Sequence, residues 1–89
     1  MKIYKTQKAV EKDIKDGVLK IMGDVQFQCP IVILASLEVA GNINAGNIDA
    51  RNINARNITA RYITARNINA WNITARNITA RNIDAGNID

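Results

Sequence analysis

From Gly41 onward an isoleucine recurs at every fifth residue: Ile43, Ile48, Ile53, Ile58, Ile63, Ile68, Ile73, Ile78, Ile83 and Ile88. An alanine follows two places after each of the first nine, at Ala45, Ala50, Ala55, Ala60, Ala65, Ala70, Ala75, Ala80 and Ala85. Residues two apart on an extended backbone point to the same side, and neither slot varies, so these Ile and Ala are expected to form the core. The slot after Ala holds Gly46, Arg51, Arg56, Arg61, Arg66, Trp71, Arg76, Arg81 and Gly86. No packed interior accepts that mixture, so the slot is expected to face solvent.

An α-helix cannot satisfy this period: five residues advance it by about 500°, which smears the Ile around the whole circumference. A flat strand fails as well, because an odd period sends alternate Ile to opposite faces. What keeps every Ile inside is a chain that bends once per unit, so that three or four short segments close a coil and coils stack about 4.8 Å apart through parallel ladders. Asn precedes each Ile except at Tyr62. It suits a corner because it tolerates positive φ and can bond to nearby backbone, and the Tyr62 corner is expected to be looser or differently shaped.

These ten units resemble the pentapeptide-repeat proteins, whose consensus is Ala, Asp or Asn, Leu and two free positions. In that family the small inward residue precedes the large one by two, whereas here Ile precedes Ala. The resemblance implies an all-β solenoid, a right-handed, four-sided parallel β-helix of about twenty residues per coil. It also implies pairing through an end of the solenoid. The residues alone leave three sides open as well. Four units per coil would stack Arg56 near Arg76, Arg61 near Arg81 and Arg51 near Trp71, whereas three would align Arg51, Arg66 and Arg81.

The remainder of the 89 residues reads as part of the same domain. Residues 1–17 are expected to form a short N-terminal α-helical cap, with a helix over 7–16 started by Thr6 and ended by Gly17; its Val10 and Ile14 would pack on the first coil. Residues 18–42 form opening coils with six-residue spacing, in which Leu19 and Ile21, Val25 and Phe27, Ile31 and Ile33, Leu37 and Val39 repeat the inward pair. Gly23, Pro30 and Gly41 fall between pairs, where corners belong. Period six weakly resembles the hexapeptide-repeat acyltransferases, but those use a catalytic His and this sequence has none. Residues 43–89 are the five-residue β-helix, whose last coil is expected to present an uncovered edge beyond Ile88.

Enzymatic chemistry is not expected. The chain has no His and no phosphate-binding Gly-rich loop, and its single cysteine, Cys29, reads as a core or corner residue. No cofactor or metal site is expected. The Asn-Ile-Thr triplets at Asn57, Asn72 and Asn77 arise from the repeat itself, and Thr59, Thr64, Thr74 and Thr79 make rows too interrupted for an ice-binding face. No apolar run spans a bilayer and no leader is evident, so a cytoplasmic location without membrane contact is expected. The candidate surface is the outward slot: Arg51, Arg56, Arg61, Arg66, Trp71, Arg76 and Arg81. The expected function is a non-enzymatic structural or protein-interaction solenoid that self-associates end to end, with other protein partners open. The alternative is a polyanion or nucleic-acid module using the arginines as a basic ladder, against the simpler reading that they keep the corners soluble. A third idea, implied by the resemblance, is duplex mimicry toward DNA gyrase; six Arg against three Asp in the repeat give the wrong sign for it.

Overall fold

In the structure, a computed structural model that describes residues 1–88, the chain is a β-solenoid of stacked parallel coils. Asp89, one of the three repeat Asp counted above, lies outside the described residues. The order is β1 (Lys2–Tyr4), α1 (Gln7–Lys12), β2 (Val18–Ile21), β3 (Val25–Phe27), β4 (Ile31–Val32), β5 (Ser36–Val39), β6 (Asn42–Ala45), β7 (Asn47–Asp49), β8 (Asn52–Asn54) and β9 (Asn57–Ile88). Strand β9 is one extended segment that bends around the coil, because it pairs in parallel with β6, β7 and β8 in turn.

The register gives the number of sides. Asn42 lies opposite Asn57, Asn47 opposite Tyr62, and Asn52 opposite Asn67. Each step is fifteen residues, or three units, so the coil is three-sided and the four-sided expectation is corrected. The swapped sizes of Ile and Ala explain the difference. A square encloses about 1.7 times as much cross-section per side as a triangle of the same edge, and one Ile with one Ala per side would leave it underfilled.

The opening coils are wider. Val18 pairs with Ser36 and Val25 with Ile43, eighteen residues apart; Ile31 pairs with Ile48 at seventeen and Ser36 with Asn52 at sixteen. Each successive corner loses one residue, as Gln28-Cys29-Pro30 above becomes Gly46-Asn47 below. The taper follows the core. Two large side chains per side, such as Val25 and Phe27, require a larger section than Ile with Ala, and all eight residues of the six-residue pairs are buried. Cys29 sits half-buried against that core at its corner.

From Ile43 to Ile73 every repeat Ile is at most 2% exposed, as expected, and Ala45 through Ala70 are buried with them. The last coil departs from the expected core. Ala75, Ile78, Ala80 and Ala85 are only partly buried, and Ile83 is 39% exposed, because no further coil lies over them among the described residues.

The N-terminal cap is more composite than a helix. Strand β1 joins the sheet against β3, with Tyr4 stacked on Phe27 at a centroid distance of 5.5 Å. Thr6 caps α1 by accepting from the Ala9 N–H at 3.2 Å, and α1 ends at Lys12 instead of near residue 16. Asp16 and Gly17 adopt positive φ, 53° and 76°, in a two-residue turn closed by paired Lys15 and Val18 backbone bonds of 2.9 Å. Asp-Gly favours this mirror-image hairpin turn, which a helix cannot continue through. Val10 is fully buried beneath α1. The Gln7 side-chain amide donates to the Val32 carbonyl at 2.6 Å and accepts from its N–H at 3.1 Å. It thereby occupies the edge of β4 as a neighbouring strand would, which blocks further pairing there. The Tyr4 hydroxyl donates to Asp13 Oδ2 at 2.6 Å, and Lys2 Nζ lies 3.6 Å from the same oxygen.

Two outcomes follow from this packing. Ile68→Asp places a carboxylate at a 1% exposed position in mid-stack, and should cost at least about 4 kcal/mol; an unchanged thermal melt would refute the inward set. The Tyr4 bond, reinforced by Lys2, holds the Asp13 carboxyl below its usual range. That linkage stabilises the fold above the unfolded carboxyl value of about 4 and is lost as pH falls through the lowered folded value. Tm should therefore drop in acid, with a shallower acid dependence in Tyr4→Phe. Identical acid slopes in the two proteins would exclude this pair as a contributor.

Candidate functional site

The corners govern the surface. At three successive corners, two successive N–H groups converge on a single carbonyl of the coil before: Arg61 and Tyr62 on Gly46 O (2.8 and 3.1 Å), Arg66 and Asn67 on Arg51 O (2.8 and 3.2 Å), and Trp71 and Asn72 on Arg56 O (2.7 and 3.2 Å). A carbonyl has two lone pairs and can accept both. The backbone closes the corner by itself, which leaves the outward side chain free. A Cβ built at Gly46 would meet nothing within 4 Å, and all six arginines and Trp71 are exposed.

Three sides sort the arginines into three columns. Arg51, Arg66 and Arg81 follow one another at fifteen-residue steps along one corner, and Gly46, Arg61 and Arg76 along the next. The third corner carries Arg56 and then Trp71, with the Arg56 guanidinium 5.4 Å from the indole centroid. The stacking of Arg51 on Trp71 that four sides would have produced is replaced by this cation–π contact. Like charges within a column stand about 4.8 Å apart at strand spacing. Among the described residues no carboxylate forms a salt bridge with any of the six.

Beside the columns run two amide ladders. On one side Asn52 Nδ2 donates to Ser36 Oγ (3.2 Å), Asn67 to Asn52 Oδ1 (2.8 Å) and Asn82 to Asn67 Oδ1 (3.0 Å). On another, Asn57 donates to Asn42, Asn72 to Asn57 and Asn87 to Asn72, at 2.8, 2.8 and 2.9 Å. The repeated Asn was expected to take positive φ at the corners. Asp16 is the one non-glycine residue with positive φ among the described residues, and Asn instead bonds its own equivalent one coil away, where each amide can donate and accept at once. The upper end of the second ladder is fixed by Asp24, whose Oδ1 accepts from the Asn42 N–H at 2.8 Å while crossing Gly41 so closely that a Cβ there would collide with it. The third side lacks a ladder because Tyr62 stands between Asn47 and Asn77. Its backbone corner nevertheless matches the others, so the looser geometry expected at Tyr62 does not occur.

A surface depression of about 820 Å³ lies at the N-terminal end among Lys2, Tyr4, Asp13, Lys15, Lys20 and Glu38. Its polar groups partly satisfy one another, as the Lys2–Asp13–Tyr4 contacts show. No helix among the described residues is long and apolar enough to cross a membrane. The ladders were visible as a constant Asn slot but not as side-chain stacks, and nothing in sequence pointed to Gln7 as an edge cover.

Comparison with protein-family models, curated proteins and solved structures gives no match.

Tyr62→Asn would complete the missing third ladder. Two added amide bonds at about 0.5–1.5 kcal/mol each should raise Tm by about 4 °C or more. A lower Tm would mean that packing of the tyrosine ring outweighs the ladder.

Proposed function

We propose that the protein is a non-enzymatic β-solenoid that acts by self-association, with the last coil as its contact surface. The observation that carries this reading is the gradient of exposure along one structurally equivalent slot: Ile73 is 1% exposed, Ile83 39% and Ile88 55%. Parallel edges above such side chains carry unpaired backbone groups as well as apolar surface, a combination that favours pairing with another chain. The proposed occupant is a second copy. At the other end α1 packs against β1 and β4 and Gln7 occupies the β4 edge, so head-to-tail growth is disfavoured on that side. Open coil against open coil is an isologous contact that closes at two copies. The last coil also carries both signs, Arg76 and Arg81 with Asp84, which a two-fold contact can pair across the interface.

Light scattering at about 100 µM, where a weak pair would already form, should give twice the 9.8 kDa chain mass. Ile83→Lys should return it to one chain with the circular dichroism of the coil retained, because Ile83 lies outside the fully buried set. A wild-type mass of 9.8 kDa under these conditions would refute self-association.

A further inference from the structure

Charge is divided along the solenoid axis. Residues 1–49 contain six Lys and six acidic residues, whereas residues 50–83 contain six Arg and no acidic residue. The modest net charge of +4 conceals this division, since Asp84 and Asp89 subtract from the arginine segment's total. Folding winds that segment into an arginine-bearing belt, bordered by Glu38 opposite Asn54 and Asp49 opposite Thr64. Its outward slots between corners are Asn54, Thr59, Thr64, Asn69, Thr74 and Thr79, all exposed and all able to hydrogen bond.

One side of the belt differs from the other two. Along one edge runs the column Arg51, Arg66 and Arg81; along the other stand Arg56 and Trp71. Between them lie Asn54 and Asn69, flanked by the ladder of Asn52, Asn67 and Asn82. Cations therefore line both edges, amides form the floor between Glu38, opposite Asn54, and Asp84, one coil step beyond Asn69, and an indole that is 65% exposed stands at one edge.

We infer that this side binds single-stranded nucleic acid, with the arginine edges on phosphates and Trp71 stacked on a base. Guanidinium forks match phosphate oxygens, and an anion between the columns relieves repulsion that no salt bridge among the described residues offsets. Trp71 favours a single strand over a duplex, because an unpaired base can offer its face and a paired one is already stacked. The outward amides of Asn54 and Asn69 can meet base edges, which are likewise accessible in an unpaired strand. The cross-section also disfavours a duplex groove: the molecule measures 22 × 21 Å across its shorter axes, against a major groove of about 12 Å.

Trp71 is the sole tryptophan, so its fluorescence reports directly from the site. An unlabelled oligodeoxynucleotide of about twelve residues, the same sequence as a duplex, and inorganic polyphosphate would each be titrated into the full chain across a salt series, with fluorescein-labelled strand anisotropy in parallel. The expected result is quenching by the single strand, with a log–log salt slope near −2 to −3 for three or four phosphates. Arg66→Gln, which alters an exposed residue outside the core, should reduce that slope by about 0.7. Trp71→Ala, read by anisotropy, should weaken the single strand at least about fivefold and leave polyphosphate unchanged. Circular dichroism of both variants establishes that the coil is intact. Duplex or polyphosphate binding as tight as that of the single strand would overturn the inference in favour of plain charge attraction. Absence of binding at near-physiological salt would overturn it outright.

Discussion

The middle coil of the repeat region closes its three corners on carbonyls that each accept from two N–H groups of the next coil. Gly46, Arg51 and Arg56 provide these acceptors, and the residues that donate to them are otherwise unlike: Arg with Tyr, Arg with Asn, Trp with Asn. Because the closure is made by backbone, it is independent of the side chain in the outward slot at these corners, whereas a Cβ at Gly86 would come within 2.9 Å of the Trp71 carbonyl oxygen. That independence allows one slot to hold glycine, arginine and tryptophan without altering the coil. It also fixes the phase at which Ile and Ala turn inward, so the core and the surface follow from the same bond.

The core then determines how wide each coil must be. Pairs of large residues, Leu19 with Ile21 or Val25 with Phe27, need three-residue corners, and the replacement of the second member by Ala allows two-residue corners below. The stack narrows from eighteen to fifteen residues per coil without interrupting the inward columns. The wide end is also the one that is covered on its β4 side. Aromatic Tyr4 and Phe27 fill it, Val10 seals it, and the Gln7 amide takes the hydrogen bonds that a strand would otherwise seek. At the narrow end the same lattice presents Ile83 and Ile88 with nothing over them among the described residues. This asymmetry underlies the proposed two-copy assembly.

On the outside, stacking multiplies each choice of residue. A single Asn would be an ordinary exposed amide, but repeated at fifteen-residue steps it becomes a ladder in which each side chain donates upward and accepts from below. A single Arg would be a soluble corner; repeated through residues 50–83 without an acid, it becomes columns of one sign. Amides can satisfy their own column, whereas guanidinium groups cannot, having donors only. The asparagines are consequently structural, and the arginines retain unmet capacity for an anion.

How much of this was legible beforehand differs from residue to residue. The inward set from Ile43 to Ile73, the six-residue pairs above it and the exposed arginines could be read from spacing, because the two-residue alternation of an extended chain is a local property. The number of sides could not be read this way, since a five-residue period is equally compatible with three corners or four. Cross-sectional packing decided it, and with it whether Trp71 would lie against Arg51 or Arg56. The Asn ladders, the Gln7 amide on Val32 and the Tyr4–Asp13 bond likewise join residues fifteen, twenty-five and nine positions apart. Sequence by itself determined which residues face inward and which face solvent; only the tertiary structure decided which coil neighbours they meet, because that depends on how many units close a turn around a filled core.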